Sequence, residues 1–176
     1  MILLDVDGVC ADFVGGALRA HGSPLTHADI VRYNMAPIMG ISNTELWRVI
    51  DEGGPEFWRD LDPLPWFDQL YNGLKAIARV EFVTQPGWSW ESYAGKKMWF
   101  DKMLGRQFRG ITFTCSKDLM ARPTRVLVDD APENVASFLA AGGEACLFPS
   151  PWNGSPMPDD LAIDEVITKV RRKLQL

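Results

Sequence analysis

The chain has 176 residues, 47% of them hydrophobic and 23% charged, which suits one core with a small insertion at most. Its net charge of −5 argues against a general nucleic-acid coat, so no stable nucleic-acid binding is expected. No apolar run reaches the ~18 residues of a membrane span, and Cys10, Cys115 and Cys146 are too scattered for a disulfide framework or a zinc site. Reduced thiols in a cytoplasmic protein are the expectation, with no leader ahead of the first strand.

The chain opens with Ile2, Leu3 and Leu4, which run straight into Asp5, Asp7 and Gly8. Such a run reads as a buried strand that stops at the acids. Ala11 to Ala20 reads as a helix. Residues 21–65 show no strand pattern and read as a small helical insertion above the sheet. Within it Ser42 and Glu45 have capping-box spacing, and Gly53-Gly54-Pro55 reads as the end of that helix. Phe67 to Ala78 is helical by its Leu70, Leu74 and Ile77 spacing. Val80 to Thr84 is a strand, and Tyr93 to Leu104 a helix. Trp88 and Trp90, just after Thr84, either line the pocket or pack beneath it, and packing is the favoured reading. Ile111 to Thr114 and Arg125 to Val128 are strands, the second ending in Asp129 and Asp130. Asn134 to Ala141 is helical, Ala145 to Phe148 is a strand, and Ile163 to Leu174 a closing helix. Strands alternating with helices predict an α/β fold with a parallel sheet.

Four strand ends then carry polar chemistry: Asp5 with Asp7, Thr84, Lys117, and Asp129 with Asp130. In a parallel sheet these ends converge on one edge. Asp5 is placed to attack phosphorus, and Asp7 to protonate a leaving oxygen and later activate water. The competing reading is helix capping by either acid. Asp129 beside Asp130 calls for a nearby cation, and all-oxygen ligands favour Mg²⁺, with Asp5 and Asp130 as direct ligands. The competing reading is an ordinary turn with capping acids. Thr84 offers a hydroxyl to phosphate oxygens, and Lys117 a positive charge. Alone, a strand-end Thr or a surface Lys is usually structural.

Taken in order, DVDGV, Thr84, Lys117 and VDDAPEN resemble the four motifs of the haloacid dehalogenase-like (HAD) phosphohydrolase superfamily. The second acid, Asp7, is similar to its phosphatases and phosphotransferases. DVDGVCADF, FWRDLDPLPW, KKMWFDKMLGRQF, CSKD and VLVDD further resemble the 5′(3′)-deoxyribonucleotidase family. The resemblance implies a Rossmann-like (HAD-type) parallel sheet flanked by helices. Residues 1–20 and 66–176 would form the core, and 21–65 a small helical cap. It implies Mg²⁺ held by the Asp5 side chain, the Asp7 backbone carbonyl and Asp130, with Asp129 standing behind them. It implies phosphate contacts from Thr84, Gln85, Lys96 and Lys117. Phe13 would line the nucleoside pocket, and Tyr33, Asn34 and Met35 would pack on the base. Gln85 departs from the family's usual Ser, and Cys115 from a common Arg.

The implied activity is a Mg²⁺-dependent phosphomonoesterase. It would cleave (deoxy)nucleoside monophosphates through an aspartyl-phosphate on Asp5. Another phosphate ester, such as a sugar phosphate or a nucleic-acid 3′ phosphate, is the alternative substrate. A non-catalytic phosphate-binding module is the alternative role. A homodimer is compatible with the family, and no residue here marks one.

Overall fold

The computed structural model describes residues 1–175. Five strands form one parallel sheet in the order β3-β2-β1-β4-β5. They are β1 (Ile2–Leu4), β2 (Val80–Thr84), β3 (Ile111–Phe113), β4 (Val126–Asp129) and β5 (Glu144–Leu147). Helices α1 (Phe13–Ala20), α4 (Phe67–Lys75), α5 (Glu91–Leu104), α6 (Pro132–Ala140) and α7 (Asp160–Lys173) make the crossovers and the close. The result is the expected α/β, Rossmann-like sheet flanked by helices.

β1 is central because it is wholly apolar. Ile2, Leu3 and Leu4 are fully buried, and they pair with β2 on one side and β4 on the other. A strand covered on both faces cannot alternate polar and apolar residues. Ile2 and Leu4 join the larger core on one face of the sheet, while Leu3 joins Val83, Leu127 and Phe138 on the other. Chain direction then brings the C-terminal ends of β1, β2 and β4 to one edge.

Between α1 and α4 the chain forms a 3-10 turn (His27–Asp29), α2 (Asn43–Glu52) and α3 (Gly54–Arg59). Ser42 caps α2 by accepting from the Glu45 amide at 3.1 Å. The Glu45 carboxylate turns instead to Arg48, so the reciprocal half of the expected box does not form. Gly53-Gly54-Pro55 ends α2 as expected, yet it also starts α3, which the sequence reading missed. Pro55 sits in the first turn of α3, where its absent amide hydrogen costs nothing. The outgoing and returning passages of the segment lie side by side. The Asp12 amide donates to the Asp62 carbonyl at 2.9 Å, and the Leu64 amide to the Cys10 carbonyl at 2.8 Å.

α3 packs closely on α5, and Gly95 permits it. A Cβ at Gly95 would stand 2.3 Å from the Pro55 carbonyl oxygen and 2.5 Å from Trp58 Cβ. Gly95→Ala gains about 1 kcal/mol of helix propensity. It also forces a backbone oxygen aside, an overpacking cost of about 1–3 kcal/mol or more. The clash wins, because neither obstacle is a flexible side-chain end. Urea unfolding is expected to show a net loss of stability for Gly95→Ala, and a gain would contradict this packing.

Candidate active site

Asp5 follows β1 directly, with its amide donating to the Val128 carbonyl at 2.9 Å. The chain then turns tightly. Gly8 takes φ of +79°, and the amides of Cys10 and Ala11 both return to the Val6 carbonyl. The N-cap of α1 is neither Asp5 nor Asp7. Asp12 takes that role, accepting from the Gly15 amide at 2.8 Å, and His27 Nε2 pairs with it at 2.6 Å. The capping reading therefore falls away for the first two acids.

The other strand ends supply their partners. Lys117 opens a 3-10 turn (Lys117–Met120) after β3 and is buried. Its Nζ lies 2.6 Å from Asp5 Oδ1 and 2.6 Å from Asp129 Oδ2. Asp129 Oδ1 accepts from the Ala131 amide at 2.9 Å, and Asn134 Nδ2 reaches both Asp129 oxygens at 3.2 Å. Asp129 is thus partly the turn acid of the competing reading, and its oxygens are engaged by protein donors. Asp130 differs: its Oδ2 accepts from Trp152 Nε1 at 2.8 Å.

Lys96 on α5 is buried and donates to Asp7 Oδ2, to Thr84 Oγ1 at 2.7 Å and to the Gln85 carbonyl at 2.7 Å. Its ammonium also sits 4.8 Å from the Trp58 ring centroid. Lys97, the neighbour, pairs with Asp101 one turn on. The structure therefore brings Asp5, Lys117, Asp129 and Asp130 into one cluster, and Asp7, Thr84, Gln85 and Lys96 into a second group.

Electrostatics follow from burial. It raises the Asp5 pKa to about 7, against the pull of Lys117, with Asp129 and Asp7 adding to the rise. Burial also lifts Asp130 well above the carboxylate range, reinforced by Asp5 and Asp129. Lys117 is desolvated as well, yet Asp5 and Asp129 outweigh that and hold its pKa above the lysine range. Three acids thus share one lysine. Ligand oxygens of Asp5, Asp129 and Asp130 lie within 4.8 Å of one another. A buried all-oxygen set of three carboxyls, with Asp5 and Asp130 resisting ionisation and one lysine between them, fits a hard divalent cation, which would favour the ionised forms of those two. Asp7 Oδ1, buried and without a hydrogen-bond partner, adds an unsatisfied acceptor to the group.

Above these residues opens a cleft of about 350 Å³. Phe13 lines it, as do Tyr33, Asn34, Met35 and Gln85. Phe13 stacks on Trp58 with ring centroids 5.6 Å apart, and Trp47 stacks on Trp88, also at 5.6 Å. Of the two sequence readings of Trp88, the structure takes the less favoured, pocket-lining one. Trp88 is 68% exposed and faces the cleft rather than packing beneath it; Trp90 is 71% exposed. The segment between α1 and α4 supplies Trp47 against which Trp88 stacks, a partner that strand-end logic could not reveal. Trp47, Trp58 and Trp152 were also missed as cleft residues; Trp47 and Trp152 sit outside the motifs, and Trp58 lies within FWRDLDPLPW without having been read as part of the site.

The family model described as 5′ nucleotidase, deoxy (Pyrimidine), cytosolic type C protein matches residues 1–157. No curated protein sequence matches. A haloacid dehalogenase-like family hydrolase from Xanthomonas campestris superposes with a TM-score of 0.60 at 14% identity, covering 99% of this chain and 91% of that one. A HAD family hydrolase from Deinococcus radiodurans, with bound phosphate and sodium, gives 0.55 at 15% identity, covering 98% and 93%. A HAD-hydrolase from Bacillus subtilis bound to magnesium gives 0.52 at 13% identity, covering 99% and 98%. At these identities the likeness concerns the fold. Among the described residues no helix is long and apolar enough to cross a membrane. The family match spans both residue groups and the aromatic cleft, and with it this chain belongs to the 5′ nucleotidase, deoxy (Pyrimidine), cytosolic type C family.

Proposed function

We propose that the protein is a Mg²⁺-dependent phosphomonoesterase acting on nucleoside monophosphates, with deoxynucleotides as the favoured class. The observation that carries this reading is the pairing of Lys117 with Asp5 and Asp129, beside Asp130 and beneath an aromatic cleft. The family match supports the substrate class. The magnesium, sodium and phosphate bound by the structural neighbours support the chemistry.

Asp5 and Asp130, with the Asp7 backbone carbonyl, would hold the cation. The chemistry Mg²⁺ supplies when bound is neutralisation of charge on the phosphoryl oxygens. This chain's residues do the rest. Asp5 attacks phosphorus, its carboxylate oxygen forming the new P–O bond as the ester P–O bond breaks. Asp7 gives its proton to the departing nucleoside oxygen. It then takes a proton from water, which attacks the aspartyl-phosphate and frees Asp5 and inorganic phosphate. Lys117 holds the Asp5 carboxylate in place. Lys96, Thr84 and Gln85 face the transferring group, where fixed positive charge and donors count most.

Residues 21–65 serve as the cap over this site, with α3 anchored on α5. Phe13, Trp47 and Trp88 offer the flat apolar surface that a nucleobase needs. Base stacking on aromatic side chains is worth about 1–3 kcal/mol, or roughly five- to a hundredfold. Phosphate release from a panel of phosphomonoesters tests the reading. Nucleoside monophosphates are expected to exceed sugar phosphates and 3′-phosphorylated oligonucleotides by about tenfold or more in kcat/KM. Equal rates across the panel would sink the nucleotidase assignment.

A further inference from the structure

The turn after β5 reaches back to the carboxylate cluster. It runs Ser150-Pro151-Trp152-Asn153-Gly154, with Pro151–Asn153 forming a 3-10 turn and Gly154 closing it at φ of +82°. Its own hydrogen bonds fix its shape. The Ser150 amide donates to Asn153 Oδ1 at 3.2 Å, the Gly154 amide to the Pro151 carbonyl at 3.2 Å, and the Ser155 amide to the Ser150 carbonyl at 3.1 Å.

Two side chains of this turn grip Asp130. Asn153 Nδ2 donates to the Asp130 carbonyl at 2.9 Å and to the Phe148 carbonyl at 2.7 Å. Trp152 Nε1 donates to Asp130 Oδ2 at 2.8 Å. Backbone and carboxylate of Asp130 are thus held from one place. Gly8 packs against this same contact. A Cβ there would stand 2.5 Å from Asp130 Oδ2 and 2.9 Å from Trp152 Cζ2, at a φ that already favours glycine.

The grip differs in kind from those on the neighbouring acids. Asp5 and Asp129 face the ammonium of Lys117, which cancels charge. Among the described residues the hydrogen bond to the Asp130 carboxylate comes from the Trp152 indole. An indole N–H is a donor only, carries no charge and cannot itself bind a metal ion. It fixes one oxygen and, bringing no positive charge of its own, leaves the charge of the ionised carboxylate to be met by a cation at the other.

That distinction matters between divalent ions. Ca²⁺ takes about 6–8 oxygens and often uses both oxygens of a carboxylate, whereas Mg²⁺ demands near-octahedral geometry at about 2.0–2.1 Å. A carboxylate with one oxygen tied by an indole suits the second demand and hinders the first. We propose that Trp152 is a positioning residue that fixes Asp130 as a one-oxygen ligand and so biases this site towards Mg²⁺ over Ca²⁺. The proposal rests on the cation-site reading above.

Calorimetric titration with MgCl₂ and with CaCl₂ tests it in wild type and Trp152→Phe, which keeps a ring and loses the donor. The variant is expected to lose about tenfold in Mg²⁺ affinity, the scale seen when a metal ligand loses its hydrogen-bond partner. Ca²⁺ affinity is expected to change less, so the Mg²⁺/Ca²⁺ preference narrows, while melting in EDTA stays near wild type. An unchanged preference overturns the proposal, whether both affinities hold or both fall together with the melting temperature. That result leaves the cation site standing. If wild type binds neither ion, the cation site itself falls and this inference with it. A measurement on wild type alone covers a variant that fails to fold. The assigned Trp152 indole proton is expected to be protected from exchange and to shift on Mg²⁺ addition. A freely exchanging indole that ignores Mg²⁺ overturns the proposal.

Discussion

Asp5→Asn is expected to abolish turnover, by about 10⁴-fold or more, and at the same time to raise the melting temperature of the metal-free protein at pH 8. The first effect follows from the nucleophile role, since removing a nucleophile from a cooperating set costs nearly the whole rate enhancement. The second follows from burial, which lifts the Asp5 pKa from 3.8 to about 7. A carboxyl with a raised folded-state pKa binds more protons when folded than when unfolded. Its ionisation therefore destabilises the fold, and the loss grows as pH rises from about 4 to about 7. Asn carries no such charge, and Lys117 keeps Asp129 as its partner at 2.6 Å. The gain in melting temperature should shrink as the pH is lowered towards 5, where wild-type Asp5 regains its proton. Thermal scans in EDTA across that range, beside phosphate release from a deoxynucleotide, check both effects. Activity surviving in a homogeneous preparation would refute the nucleophile assignment. A lower melting point at pH 8 would refute the electrostatic account.

Such opposed effects on rate and stability mark a residue that the fold tolerates for its chemistry. Much of this was legible in the chain because its signals are local. Ile2 to Leu4 announce a strand with both faces buried, and DVDGV puts two acids at its end. Alternating strands and helices then fix which edge the acids share with Thr84, Lys117 and Asp130. The choice between Lys96 and Lys97 was not legible: the resemblance pointed to Lys96 with its neighbour one step away, and the structure separates them, burying Lys96 by Asp7 and pairing Lys97 with Asp101.

The illegible parts share a physical cause: their meaning lies in a partner far along the chain. Trp152 sits in a Pro- and Gly-bounded turn with no period, 22 residues from Asp130. Trp88 allows both a lining and a packing reading from its place after Thr84, and its exposed position against Trp47 depends on where the inserted segment folds back. α3 was hidden by ambiguous punctuation. Gly-Gly-Pro stops one helix and, with Pro55 in the first turn, permits the next. Asp129 and Asp130 are adjacent and alike in type, yet the strand's end sends one to Lys117 and the other to Trp152.

Lys117→Met carries the largest expected cost in stability, and its sign is opposite to that of Asp5→Asn. Methionine matches the lysine stem in length and keeps its apolar packing. What vanishes is the one charge between Asp5 Oδ1 and Asp129 Oδ2, both at 2.6 Å. Asp129 is fully buried, and Asp130 stands beside it at 3% exposure. Breaking a buried pair by removing one partner costs about 3–5 kcal/mol, because the remaining charge is left uncompensated. Urea unfolding in EDTA at pH 8 should show a loss of that order, while the same lesion removes the group that steadies the nucleophile and so suppresses turnover. Lowering the pH should return part of the stability, since protonating Asp5 relieves the same repulsion. Saturating Mg²⁺ should also return part of it, since a ligand that binds the folded state alone stabilises it by mass action. Activity should not return with it, because a cation at the cluster does not replace the ammonium that orients Asp5. If Lys117→Met unfolds in EDTA at the wild-type urea concentration, the cluster is not held by this ion pair. If Mg²⁺ then adds no stability to either protein, the three carboxylates do not form a cation site.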